Sequence, residues 1–250
     1  MRAVCLLVSL LVSAVPIARA AEVPLYLMDI PPMASKTAPH GVVGEIVLEA
    51  MKRAHLTPRL IFMPKNRAIV TVQLTTAYDT LILPLARMPE RETLFTWIAP
   101  LYQAERGFFT RGKRIRSFAE GRAALRSVAV ARGTANGAIL RAQGFRADQI
   151  YEISLNQDAP RMLLEGRMDA WFGPLEEMAL YLQEEGEAAK IVAGPGLITT
   201  DNYLACSRLC DPVLVRKLRD ALANMEKEGA IKAIRARHGH KGAVSAVANH

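Results

Sequence analysis

The tightest constraint on this chain is an alternation of strand-like runs with helical-period segments that is gone through twice. In the first half, Leu25 to Met28 reads as a strand. It precedes a helix whose apolar residues Val43, Ile46, Val47, Ala50, Met51 and Ala54 recur at i, i+3, i+4 and i+7. Arg59 to Phe62 is a second strand, Asn66 is placed to cap a helix running to about Leu74, and Thr80 to Leu83 is an apolar strand predicted to stop at Pro84. The second half begins again, with Ser127 to Ala131 as a strand and Gly133-Thr134 opening a helix that Gly144 ends. Ile150 to Ile153 is the next strand. Asp158 is placed to cap a short helix ending at Gly166, Asp169 to Phe172 is a strand, Leu175 to Glu185 a helix stopped by Gly186, and Lys190 to Val192 a strand. Repeated strand–helix units imply a largely parallel sheet, here in two α/β lobes. Asp211-Pro212 then pairs a cap with proline at the first helical position, and Leu214, Leu218, Leu222 and Met225 make one apolar face. This last helix has no strand of its own and must pack on an existing lobe.

No long linker separates the halves, so a hinge of two crossing strands is expected. Ligands in such architectures sit between the lobes at the carboxyl ends of the strands. The chain opens with Met1-Arg2, an apolar run from Val4 to Val15, and Ala18-Arg19-Ala20, the layout of a cleavable secretory signal with mature protein starting near Ala21. Cys5 lies inside that signal and no cysteine lies just after the cleavage point, so a free periplasmic protein is expected rather than a lipoprotein. Cleavage removes two of the 32 basic residues, Arg2 and Arg19, and none of the 24 acidic ones, taking the net charge from +8 to +6. The basic residues are scattered among acids without an aromatic-studded stripe, which argues against nucleic acid as a partner. Cys206 and Cys210 form an isolated C-x3-C that suits a local disulfide in an oxidising compartment. Zinc would need further ligands, of which His238 and His240 are the nearest.

The run Asp79-Thr-Leu-Ile-Leu-Pro-Leu-Ala-Arg-Met-Pro-Glu-Arg91, with Phe95-Thr-Trp97 and Pro100-Leu-Tyr102 after it, is similar to the first-lobe segment of the polar amino-acid-binding class of periplasmic solute-binding proteins. Arg132-Gly-Thr134 and Glu165-Gly-Arg-Met-Asp-Ala170 resemble its second-lobe segments, so the resemblance spans nearly the whole mature chain. It implies the two-lobed periplasmic-binding-protein-like fold of a divergent branch, with two hinge crossings near Gly107–Arg111 and Gly196–Tyr203. The first lobe would be 22–108 plus 202–240, the second 109–201, and 241–250 a disordered tail. The implied function is capture of a small carboxylate-bearing metabolite for an ABC-type transporter by a monomer without cofactor or metal.

The resemblance also assigns residues. Arg91 would fork onto a ligand carboxylate, a geometry that a planar, permanently charged guanidinium matches. Thr134 would meet the same group from a helix N-terminus, where free N–H groups and the helix dipole favour anions. Asn66-Arg67 resembles a motif that sends Arg67 into the cleft, suiting a dicarboxylate or larger acid. Arg87 either adds to the positive cleft or pairs with Glu90. Trp171, Phe172, Trp97 and Tyr203 are candidate aromatic walls, and the loop Asp29-Ile-Pro-Pro-Met33 places Asp29 and Met33 at a strand's carboxyl end.

Departures from the family are equally informative. Leu83, Pro84 and Ala86 stand where small hydroxyl residues are usual, and Gly173-Pro174 stands where an acid usually holds the ligand's ammonium, leaving Glu176 as the substitute. The same fold also hosts a periplasmic dehydratase acting on cyclohexadienyl compounds, for which Glu176 or Asp29 would be the acid. The chain carries no G-x-S-x-G, H-E-x-x-H or phosphate-loop motif. Binding is therefore the expectation, with a membrane permease, or a membrane sensor, as partner.

Overall fold

A computed structural model describes residues 22–74, 76–154, 159–184 and 191–239. The signal segment, the Asp158 cap, Gly186, Lys190, His240 and the tail lie outside the described residues. The first lobe opens with β1 (Glu22–Leu27), α1 (Gly41–Arg53), β2 (Thr57–Phe62), α2 (Lys65–Gln73) and β3 (Leu81–Ala86). The long strand β4 (Phe95–Thr110) leads into α3 (Phe118–Ala124), β5 (Val128–Ala131), α4 (Asn136–Ala142), β6 (Ile150–Ile153), α5 (Ala159–Leu164), β7 (Ala170–Pro174), α6 (Leu175–Glu184) and β8 (Val192–Ala193). A second long strand, β9 (Ile198–Ser207), returns to the first lobe, which α7 (Pro212–Lys227) and α8 (Ala230–Arg237) complete.

The sheet order is β2-β1-β3-β9-β4-β7-β5-β6, with β8 beside β4. Strands β1, β2 and β3 are parallel, as are β5, β6 and β7, so each lobe is built of strand–helix units whose parallel strands have their carboxyl ends on one edge. Among the described residues only β4 and β9 serve both lobes. They pair antiparallel from Phe95↔Ser207 to Arg106↔Ile198, and at Arg106 β4 passes on to β7, pairing Arg106↔Pro174 through Thr110↔Ala170.

Apolar clusters cover both faces of the sheet in each lobe. In the first, α1, α7 and α8 bury Val43, Ile46, Val47, Met51, Leu218, Leu222 and Met225 against β1 and β3, and α2 covers the opposite face with Ala68, Ile69 and Val72. In the second lobe the fully buried Phe108 on β4 is ringed by Phe172 at 4.9 Å, Phe145 at 5.9 Å and Phe118 at 6.1 Å. Among the described residues no helix is long and apolar enough to cross a membrane.

Several local expectations are corrected. Strand β3 does not stop at Pro84 but runs through it to Ala86. The missing N–H is absorbed by a bulge, where Ile82↔Ala205 is followed by Leu85↔Tyr203. Helix α3, not anticipated, is capped by Ser117, whose Oγ accepts from Glu120 N at 3.1 Å. The last helix starts as expected, Asp211 accepting from Val213 N at 2.8 Å, but breaks at Gly229 (φ 75°) into α7 and α8. Cys206 and Cys210 are joined as a disulfide with Cα atoms 6.1 Å apart, and His238 pairs with Glu45 at 2.7 Å.

Phe108 carries the aromatic cluster of the second lobe, so Phe108→Ala should cost about 3–5 kcal/mol, the usual range for emptying a buried phenylalanine site. Urea or thermal denaturation followed by circular dichroism measures it; a change below about 1 kcal/mol would mean the cluster repacks without strain.

Candidate functional site

The carboxyl ends of β1 and β2 face those of β5 and β6. Between them lies a cavity of about 530 Å³ lined by Met28, Asp29, Ile30, Lys36 and Phe62–Asn66 from the first lobe and by Arg132 and Ser154 from the second. A second cavity, of about 370 Å³, sits against the hinge strands, lined by Met33, Tyr102–Glu105, Pro174–Glu177 and Thr199. Both are at the lobe junction, where parallel strand–helix units leave free backbone groups and loops.

Polar side chains that the junction removes from water are specific to these strand ends. Arg91, in a short 3-10 turn (Pro89–Arg91), donates from Nη1 to Ala86 O at 3.2 Å and from Nη2 across the junction to Gly133 O at 3.2 Å. Among the described residues it has no carboxylate within ion-pair distance, and burial holds its pKa below the ordinary guanidinium value, with Glu90 opposing weakly. Arg106, 4 % exposed on β4, donates to Asn136 Oδ1 at 2.9 Å, to Ala104 O at 3.1 Å and, closely, to Thr200 Oγ1. Burial lowers its pKa as well. Tyr102, on the same face of β4, donates to Glu177 Oε1 at 3.4 Å. Glu177 is buried in the first turn of α6, and desolvation raises its carboxyl pKa while Lys65 and Arg106 pull it down. Burial pulls the Lys65 ammonium down to about 8, with Glu177 opposing and Arg91 and Arg106 adding to the fall.

Lys65 and Asn66 reach the junction because α2 begins two residues earlier than a cap at Asn66 would put it, directly after Pro64. Asn66 is therefore no cap: its side chain crosses to the second lobe, where its buried Oδ1 has no hydrogen-bond partner. The approach is possible only because residue 133 is glycine. At φ +72° a Cβ on Gly133 would lie 1.1 Å from Asn66 Oδ1.

The other expected residues divide. Thr134 lies beside the Arg91–Gly133 contact, just ahead of α4, where Oγ1 donates to Ala131 O at 2.6 Å and accepts from Asn136 N at 3.2 Å. Asp29 lines the larger cavity and pairs with Lys36 at 3.6 Å, while Met33 and Glu176 line the hinge cavity. Arg67 is exposed and does not line the larger cavity, although Lys65 and Asn66 do. Arg87 pairs with Glu92 rather than Glu90 and stacks 5.2 Å from the ring centre of Tyr203 and 5.6 Å from that of Trp97. Trp171 is packed in the second-lobe core with Phe109, Leu163, Met168 and Met178, and Phe172 in the cluster around Phe108. Consecutive residues of a strand fully covered on both faces point into two cores, so neither ring faces the junction.

Lys65, Tyr102, Arg106, Asn136 and Glu177 were not anticipated. One signal was available for Arg106: it shares the period-2 face of Tyr102, Ala104 and Phe108, so a charge stands in an otherwise inward row.

Two outcomes follow. Gly133→Ala should hold the lobes apart, seen as an increased radius of gyration in small-angle scattering, and Asn66→Gly in the same chain should restore the parent value; an unchanged radius in the single variant would refute the contact. Second, the folded state releases the Lys65 proton near pH 8 while the unfolded chain keeps it to about 10.5. Unfolded protein binds more protons in that window, so stability contributed by this group rises with pH there. Chemical denaturation from pH 7.5 to 10 should show the parent gaining on Lys65→Met as pH rises; parallel curves would contradict the depressed value.

No protein-family model matches the chain, and no curated protein matches it in sequence. Solved structures do. ArtJ, the arginine-, lysine-, histidine-binding protein of Geobacillus stearothermophilus, superposes with a TM-score of 0.76 at 14 % identity, covering 89 % of this chain and 97 % of its own. The P235GK mutant of ArgBP from T. maritima gives 0.73 at 16 % identity over 88 % and 96 %. A histidine kinase sensor domain with similarity to periplasmic binding proteins gives 0.76 at 16 % identity over 88 % and 95 %. With two lobes, two shared strands and a junction cavity at the strand ends, the chain has the type II periplasmic-binding-protein fold.

Proposed function

We propose that this chain is a periplasmic ligand-binding protein that closes its two lobes on a small carboxylate-bearing metabolite and presents the closed form to an ABC-type permease. The proposed division into lobes 22–108 plus 202–240 and 109–201 falls within β4, whose Phe108 at the boundary packs in the second-lobe core. The observation that carries this reading is Arg91: a largely buried guanidinium at the junction whose hydrogen bonds, among the described residues, go only to carbonyls, one from each lobe. A cation removed from water without a counter-ion is costly, and a carboxylate entering between the lobes would relieve that cost with charge-assisted bonds. Thr134, beside Gly133 on the second lobe, is the proposed partner of the same carboxylate. Asp29 and Met33 shape the neighbouring walls.

Closure then follows from differential affinity. The ligand contacts both lobes only when they are together, so it shifts the equilibrium toward the form a membrane partner selects. The similarity to ArtJ and ArgBP supports a transport role, and the similarity to a sensor domain supports a second reading in which the closed form signals to a membrane sensor. Binding rather than catalysis is favoured because, of the two acids weighed for a dehydratase, Glu176 lines the separate hinge cavity and Asp29, although it lines the larger cavity, is paired with Lys36.

A thermal-shift screen of carboxylic acids and amino acids tests this. A ligand binding the folded state alone at ~100 times its dissociation constant adds about 2.7 kcal/mol. Arg91→Ala should cost the hit about 2–5 kcal/mol of affinity while the fold is kept. Unchanged affinity in that variant, by titration calorimetry, would remove Arg91 from the site.

A further inference from the structure

The charges at the junction do not balance. Arg91, Arg106 and Lys65 bring three cationic groups within electrostatic reach of one another; among the described residues the buried Glu177 offsets Lys65 and Arg106, and the exposed Glu90 weakly offsets Arg91. Neither arginine has a carboxylate within ion-pair distance among the described residues, and their hydrogen bonds go to carbonyls, the Asn136 amide and the Thr200 hydroxyl. Other nearby acids are committed or lie elsewhere: Asp29 pairs with Lys36, and Glu105 and Glu176 are exposed around the hinge cavity. An ammonium-bearing ligand would add a fourth cation to this set, with Glu177 already shared by two cations and the Tyr102 hydroxyl. A zwitterion leaves the surplus where it was. An anion without an amine lowers it by its full charge.

Position reinforces the charge argument. Lys65 opens α2 at the carboxyl end of β2 and lines the larger cavity with Met28, Ile30, Phe62 and Met63. The protein thus carries its own primary amine into the place where ligand and both lobes meet, beside an apolar wall.

Resting on the binding function proposed above, we infer that the site selects carboxylic acids that lack an α-ammonium group, such as 2-oxo acids and dicarboxylates, with Lys65 as the built-in cation that replaces the ligand's amine. Lys65 is a specificity-determining residue in this assignment, and Arg91 remains the carboxylate anchor. An amino acid of the same carbon skeleton is disfavoured because its ammonium meets Lys65 and Arg106 rather than a free carboxylate.

Matched pairs that differ only at the α-carbon test this: 2-oxoglutarate against L-glutamate, phenylpyruvate against L-phenylalanine, and succinate against L-aspartate, titrated calorimetrically into the full chain. The amine-free member of at least one pair should bind about tenfold or more tightly than its partner. Lys65→Met should abolish that preference and Lys65→Arg should keep it, with melting curves confirming that both variants fold. Tighter binding of the amino acid in every pair that binds, or a preference that Lys65→Met leaves intact, overturns this inference while leaving the binding function standing. No binding by any pair, or binding indifferent to Arg91→Ala, overturns the function beneath it as well.

Discussion

The antiparallel ladder between β4 and β9 is the constraint on which the rest of this molecule depends. It extends from Phe95↔Ser207 to Arg106↔Ile198, and among the described residues it is the only pairing that belongs to both halves of the sheet. Everything on the β1–β3 side is joined to everything on the β5–β7 side through these two strands. Register shifts, at Trp97/Ala99 and Pro100/Tyr102, interrupt the ladder locally and bend these strands. The same strands deliver Tyr102, Arg106 and Thr200 to the junction, so the mechanical and the chemical parts of the site share one piece of backbone.

Around this spine the protein accepts electrostatic costs that a purely structural junction would avoid. Apolar residues of similar volume commonly stabilise a buried interface as well as or better than ions do. Arg106 at 4 % exposure and Glu177 at 9 % are difficult to explain as packing. Their shifted proton affinities have the same origin as those at binding sites generally, namely desolvation combined with a few chosen neighbours. By contrast Arg87, held by Glu92 and two aromatic rings at the surface, resembles a fastening between β3, β4 and β9, and its charge is already satisfied.

Much of the architecture was legible because period and punctuation are local. The apolar stripe from Val43 to Met51, the Asp211-Pro212 helix start and the Val128–Ala131 strand all lie where hydrophobic spacing and capping chemistry put them. Pro84 misled because the rule that proline ends a strand yields where a bulge removes the need for its N–H. The site was less legible for a different reason. Trp171 reads as a possible wall, yet alternation along a strand covered on both faces turns it into the core. Lys65, Asn136 and Glu177 have neighbours contributed by segments 30 to 110 residues away, so their burial, and with it their chemistry, is created by the topology alone. Arg91 was singled out through its resemblance to a family motif, not through any local physical signal, and its place as a carboxylate anchor is a proposal.

The unmet oxygen of Asn66 has a further consequence. When the lobes touch, it is pressed against Gly133 and deprived of any donor, at a cost of about 1–3 kcal/mol for a buried polar atom of this kind. Separation of the lobes returns that oxygen to water. The amide thus acts as a small spring set against spontaneous contact, lowering the fraction of molecules that adopt the touching form unprompted by roughly five- to 150-fold. In a protein that works by closing on a ligand, such a spring would suppress unprompted closure, setting a threshold that the ligand's own interactions must exceed.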